Sequence, residues 1–158
     1  MTIYGVSFEL VGKQPVVLLK TADANRFLPI WIGQAEAQAI LLKLQGTDVP
    51  RPMTHDLLLG VLGELDATVE QIAVTELRDN TFYARITLLR NGGRIEVDSR
   101  PSDAIALAVR CDAPIFAADD VIESSAIEMD DDPPAESEVQ IEEFRRFLED
   151  VRPEDFLS

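Results

Sequence analysis

The segment Pro101-Ser102-Asp103-Ala104-Ile105-Ala106-Leu107-Ala108-Val109-Arg110 constrains the fold more than any other stretch. It reads as a helix that is apolar all round, and such a helix belongs in a core rather than on a surface. Its polar groups crowd at the N-terminal end. Ser102 and Asp103 are placed to cap it there, and Pro101 is tolerated in a first turn. The rest of the chain must supply the layers that bury it.

Two β-meanders can do so. Thr2 to Val11, Val16 to Lys20 and Phe27 to Ile32 read as three antiparallel strands, with Pro29 interrupting the third and Trp31 expected in the core. A second set follows at Thr68 to Leu77, Phe82 to Leu88 and around Ile95 and Val97. Its turns fall at Arg78-Asp79-Asn80-Thr81 and Asn91-Gly92-Gly93. At Gly33 the apolar period changes from strand to helix, with Ala37, Ile40, Leu41 and Leu44 on one face and Gly46 as the stop. Pro50 and Pro52 stiffen the next loop. Thr54 then caps a second helix, with Asp56 in its first turn and Leu58, Val61, Leu62 and Leu65 as its buried stripe. Ala113 to Ala117 is a short last strand, and Val121-Ile122 opens a brief turn or helix. The expected architecture is α+β: two antiparallel β-meanders forming a mixed sheet packed against about three helices, plus a C-terminal amphipathic helix. The expected divisions are a domain over 1–127, an acidic linker over 128–138, and a helix and tail over 139–158.

The charge is concentrated at one end. Of a net −15, fifteen Asp/Glu against three Arg lie from Asp119 onward, a net of −12, which leaves −3 for residues 1–118. An acidic tail repels nucleic acid and anionic membranes, so nonspecific binding to either is disfavoured. A local catalytic site for phosphodiesters remains open. No apolar run approaches the roughly 18 residues of a membrane span, and no basic-then-apolar leader opens the chain. A single cysteine, Cys111, cannot form an internal disulfide, which fits a reducing cytoplasm. It reads as a small core side chain. The acidic run Asp130 to Asp132 reads as solvated linker.

No metal-ligand spacing, nucleophile elbow, phosphate-cradling glycine loop or nucleotide fingerprint is present. Two polar clusters and one histidine stand out. Gln34 and Glu36 open the first helix, either as a solvated first turn facing the dipole or as a site corner. Arg100, Ser102 and Asp103 head the buried helix, either as caps with an Arg–Asp ion pair or as a rigidly held site. His55, the only histidine, is either structural or the side chain that trades protons near neutrality.

Three segments together resemble the bifunctional nuclease family: Leu28-Pro29-Ile30-Trp31-Ile32-Gly33-Gln34-Ala35-Glu36-Ala37, Arg51-Pro52-Met53-Thr54-His55-Asp56-Leu57, and Ser99-Arg100-Pro101-Ser102-Asp103-Ala104-Ile105-Ala106-Leu107-Ala108. The match runs from the N-terminus to about residue 130, and the C-terminal segment is similar to the tail of actinobacterial members. The resemblance implies an α+β domain, a homodimer, and hydrolysis of RNA and DNA with low sequence specificity. By motif position it points to Glu36, His55, Arg100 and Asp103 as catalytic residues, with Gln34 and Ser102 toward the substrate. In the roles assigned to them, Glu36 and Asp103 hold a divalent metal such as Mg, His55 serves as general acid or base, and Arg100 clamps the phosphate. The rival reading is a non-enzymatic acidic homo-oligomer that binds a small anion or a regulatory protein.

Overall fold

The computed structural model describes residues 1–7, 14–22 and 25–128. The expected linker beyond Glu128, the C-terminal helix and the Asp130–Asp132 run lie outside those residues. Strands β1 (Thr2–Ser7), β2 (Val16–Lys20) and β3 (Arg26–Trp31) lead into helices α1 (Gln34–Leu44) and α2 (Thr54–Glu64). Strands β4 (Ala67–Arg78), β5 (Thr81–Arg90) and β6 (Gly93–Ser99) then precede α3 (Pro101–Cys111). The described chain closes with β7 (Ile115–Ala117), α4 (Asp119–Ser125) and β8 (Ile127–Glu128).

The α+β class is as expected, but the two meanders do not share one sheet. Each keeps its own: β1-β2-β3-β8, antiparallel throughout, and β6-β5-β4-β7, in which β4 and β7 run parallel. Helix α3 is the reason, because it packs on α1 and α2 and also against β4 and β5. Leu19, Leu28 and Ile30 of the first sheet meet Ile40 of α1, Ile105 and Leu107 of α3, and Ile72, Val74 and Ile86 of the second sheet in one cluster. Each fully buried Leu or Ile of this kind contributes about 1.5–3 kcal/mol of transfer free energy. The helix that is apolar all round therefore lies at the centre of the core.

Local chemistry explains the connections. Ile32 N–H donates to the Pro15 carbonyl at 2.9 Å, so by alternation Leu28 and Ile30 also face β2. The nitrogen of Pro29 then points to the other edge, where β8 pairs only Arg26 and Phe27, and the missing N–H costs no ladder bond. Asp79 and Asn80, and likewise Asn91 and Gly92, all have positive φ. That is the primed-turn geometry of two-residue hairpins, and Asn, Asp and Gly tolerate it best. Helix α1 stops as expected: Gly46 takes φ +62, its N–H donates to Lys43, and Thr47 N–H donates to Leu42.

Helix α2 departs from the sequence reading. Leu58, Val61 and Leu65 are 39%, 46% and 51% exposed, not buried. Its inward stripe is His55, which is buried, with Leu59 and Leu62 half-buried against the core. The sequence Leu57-Leu58-Leu59-Gly60-Val61-Leu62 carries apolar residues on nearly every side, so periodicity alone does not choose a face. A polar partner on α3 does. Thr54 does not cap this helix; Met53 is the N-cap residue, and its N–H donates to Asp56 Oδ2 at 2.9 Å. Trp31 is only half-buried. It packs beside Val16, Leu18 and Phe27, away from the main core.

Candidate functional site

Two helices begin side by side, α1 at Gly33 and α3 at Arg100, and neither N-cap residue makes a side-chain capping bond. Glu36, in the first turn of α1, folds back over its own N-cap. A Cβ at position 33 would stand 2.2 Å from Glu36 Oε2, so a glycine is what leaves room for the carboxylate. From there Glu36 Oε1 stands 2.9 Å from Arg100 Nη1 in an ion pair. Arg100 Nε donates to Asp103 Oδ2 at 2.8 Å, and His55 Nε2 lies 3.0 Å from Asp103 Oδ1. Glu36, Arg100, Asp103 and His55 thus form one continuous chain assembled from α1, α2 and the head of α3.

The electrostatics give that chain a direction. Burial by itself would raise the Asp103 carboxyl. Hydrogen bonds from His55 and Arg100, with the Arg100 charge, outweigh it and hold the group below its ordinary 3.8. An ionised carboxylate only accepts, so Nε2 of His55 carries the hydrogen. Its Nδ1 makes no hydrogen bond among the described residues. Arg100 is held charged, chiefly by its bond to Asp103. Its side chain is 66% exposed, and two of its five N–H donors are engaged by carboxylates. The others make no hydrogen bond among the described residues. Ser102 is buried in the same turn, whereas Gln34 is exposed and makes no hydrogen bond with the chain of four.

The two carboxylates do not fit the expected shared ion. The Arg100 guanidinium bridges Glu36 and Asp103, so a cation already stands between them. Among the described residues no group of three or more His, Cys, Asp or Glu side chains is placed to hold a metal ion. Cys111 is not an activated thiol: burial raises it, and its Sγ donates to the Leu107 carbonyl.

One further residue supports the cluster and escapes sequence reasoning. Arg110, with a side chain only 4% exposed, donates through Nε to Asp56 Oδ1 at 2.7 Å. It also donates to the carbonyls of Ala106, at 2.7 Å, and Ala39, at 3.1 Å. One guanidinium therefore pins the first turn of α2 and the middle of α1 to α3. That fixes His55, the neighbour of Asp56. The available signal was a lone cation ending a helix that is otherwise apolar.

The chain belongs to the bifunctional nuclease domain family, whose sequence model matches residues 17–130. Among its relatives is an uncharacterized protein of Mycobacterium tuberculosis, 38% identical over 159 residues that cover 98% of this chain and 95% of that protein. The protein named bifunctional nuclease in Oryza minuta is 27% identical over 143 residues, covering 88% of this chain and 43% of its own length. Bifunctional nuclease 1 of Arabidopsis thaliana is 28% identical over 105 residues, or 64% of this chain and 32% of that protein. The chain therefore spans less than half the length of these plant relatives. No helix among the described residues is long and apolar enough to cross a membrane.

Proposed function

We propose that this protein is a nuclease that hydrolyses phosphodiester bonds in RNA and DNA with low sequence specificity, using the chain Glu36–Arg100–Asp103–His55. The carrying observation is that these four residues, drawn from three separate segments, meet in an unbroken chain of ion pairs and hydrogen bonds. In this reading Arg100 binds the scissile phosphate through its remaining N–H donors and offsets the charge that grows on its non-bridging oxygens. Asp103 holds the Nε2–H tautomer of His55. The free Nδ1 then takes the proton of the attacking water, the water oxygen bonds to phosphorus, and the leaving oxygen departs and is protonated from solvent. Glu36 braces the guanidinium from the far side. Family membership and the plant relatives support the reaction class. The proposal includes a cytoplasmic location and a homodimer, and light scattering on the purified chain tests the latter directly.

The experiment is a nuclease assay on single-stranded RNA and DNA with wild type, His55→Ala and Asp103→Asn. Losses of about 100-fold or more are expected for each, the scale of a positioned acid–base group. Variants that cleave at the wild-type rate would assign the activity to a contaminant or another site. The second reading, binding of a small anion or a regulatory protein without hydrolysis, is favoured by one observation: a net charge of −15, a poor match to a polyanion. Retained fold and ligand binding with no turnover at any enzyme concentration would select it.

A further inference from the structure

Beside the head of α3 lies a cleft of about 260 Å³, walled by the end of β3, the β4–β5 turn and the start of α3. Its lining combines two chemistries. Arg100 and Ser102 supply the polar part, with Gly33 opening α1. Both helices have 11 residues and no side-chain cap, and their first intrahelical bonds are made by Ala37 and Ala104. The N–H groups before those, including that of Ser102, are therefore left for a ligand. A second observation points the same way. Ser102 is 6% exposed and lines the cleft, yet its hydroxyl has no hydrogen-bond partner among the described residues. Two aromatic residues, Trp31 and Phe82, line the cleft as well, together with Asn80.

We propose that this cleft binds one nucleotide. The phosphate sits at Arg100, Ser102 and the two helix N-termini, and the base lies against Trp31 and Phe82 with its edge toward Asn80. An aromatic wall accepts any base, because every base has a π-face, and a base still paired in a duplex cannot enter. The inference deepens the nuclease reading by making the substrate an unpaired nucleotide of a single strand, and it rests on that reading only for the ligand's natural source.

The chain has a single tryptophan, Trp31, so ligand entry can be followed without turnover. The test is tryptophan fluorescence, excited at the red edge of the band, during titration of the full chain with AMP, UMP, adenosine and inorganic phosphate in turn. Saturable change with both mononucleotides is expected, with at least roughly tenfold weaker response to phosphate or adenosine alone. Phe82→Ala should weaken mononucleotide binding about tenfold, and Ser102→Glu should abolish it by placing a carboxylate where the phosphate sits. Circular dichroism confirms that each variant folds, and Phe82→Leu, which keeps bulk without an aromatic face, separates stacking from packing. Inorganic phosphate binding as tightly as AMP would overturn the base site, and so would full affinity in Phe82→Leu. No response to any mononucleotide by a chain that cleaves RNA would overturn the cleft and leave the nuclease reading standing. Mononucleotide binding by a chain that cleaves nothing would do the reverse.

Discussion

His55 and Asp103, 48 residues apart on two helices, meet through a 3.0 Å hydrogen bond that turns α2 so that its histidine faces inward while Leu57 and Leu58 stay exposed. The bond links burial to charge, and the consequences are measurable.

Acid should weaken the fold through Asp103 and Asp56. Asp103 is held low against its burial by His55 and Arg100, and Asp56 is held low first by the Met53 N–H and then by Arg110. A carboxyl whose folded pKa lies below its unfolded one binds fewer protons when folded, so its stabilisation is complete above the unfolded value. It is lost as pH falls through about 3.8 toward the lower folded value. Urea midpoints should therefore fall between about pH 5 and pH 3. The gap between wild type and Asp103→Asn should be full at pH 6 and should close over the same range. A gap independent of pH would remove the ionic account.

Gly33→Ala separates site from fold. The new Cβ meets only the far end of the flexible Glu36 side chain. The carboxylate should swing off Arg100 while stability changes by less than about 1 kcal/mol, as in surface substitutions. Cleavage should fall about tenfold. The double variant Gly33→Ala/Glu36→Gln should be no worse than either single one, because both remove the same contact. Additive losses in rate would show that Glu36 acts elsewhere.

Arg110→Ala should cost roughly 1.5–3 kcal/mol in chemical denaturation, the scale of hydrogen bonds to a charged group, because the Asp56 carboxylate left behind is 31% exposed and water can reach it. Arg110→Lys should recover little, since a single ammonium cannot span Asp56, Ala106 and Ala39 as the guanidinium fork does. A neutral Arg110→Ala variant would dismiss the clamp.

Packing tests divide α2 from α3. Ile105→Ala, at a position with no exposure, should cost about 2–5 kcal/mol, whereas Leu58→Ala should cost less than about 1. Equal costs would restore the buried Leu58 stripe expected from the sequence.

Chelation tests the charge at the site. With Arg100 between Glu36 and Asp103, EDTA should leave cleavage unchanged, and Arg100→Lys should reduce it about tenfold or more. Activity that collapses in EDTA and returns with Mg would show that an ion takes the guanidinium's place.

The sequence by itself determined the parts whose physics is local. A helix with no polar face can only be interior, so Ala104 to Ala108 are buried. Asp79-Asn80 and Asn91-Gly92 are among the few pairs that accept two consecutive left-handed residues, so the hairpins were legible, as was the stop at Gly46. The motif residues of the site were also legible as types, but not as a constellation. Only the tertiary structure decided which side of the nearly all-apolar α2 turns inward, because that choice is made by Asp103 on another helix. It also decided that Arg100 stands between two carboxylates and that Arg110 ties three helices together. It split the two meanders into separate sheets and set the half-buried Trp31 at a cleft. Each of these depends on a contact between residues distant in the chain, and local period and propensity carry no information about such pairs.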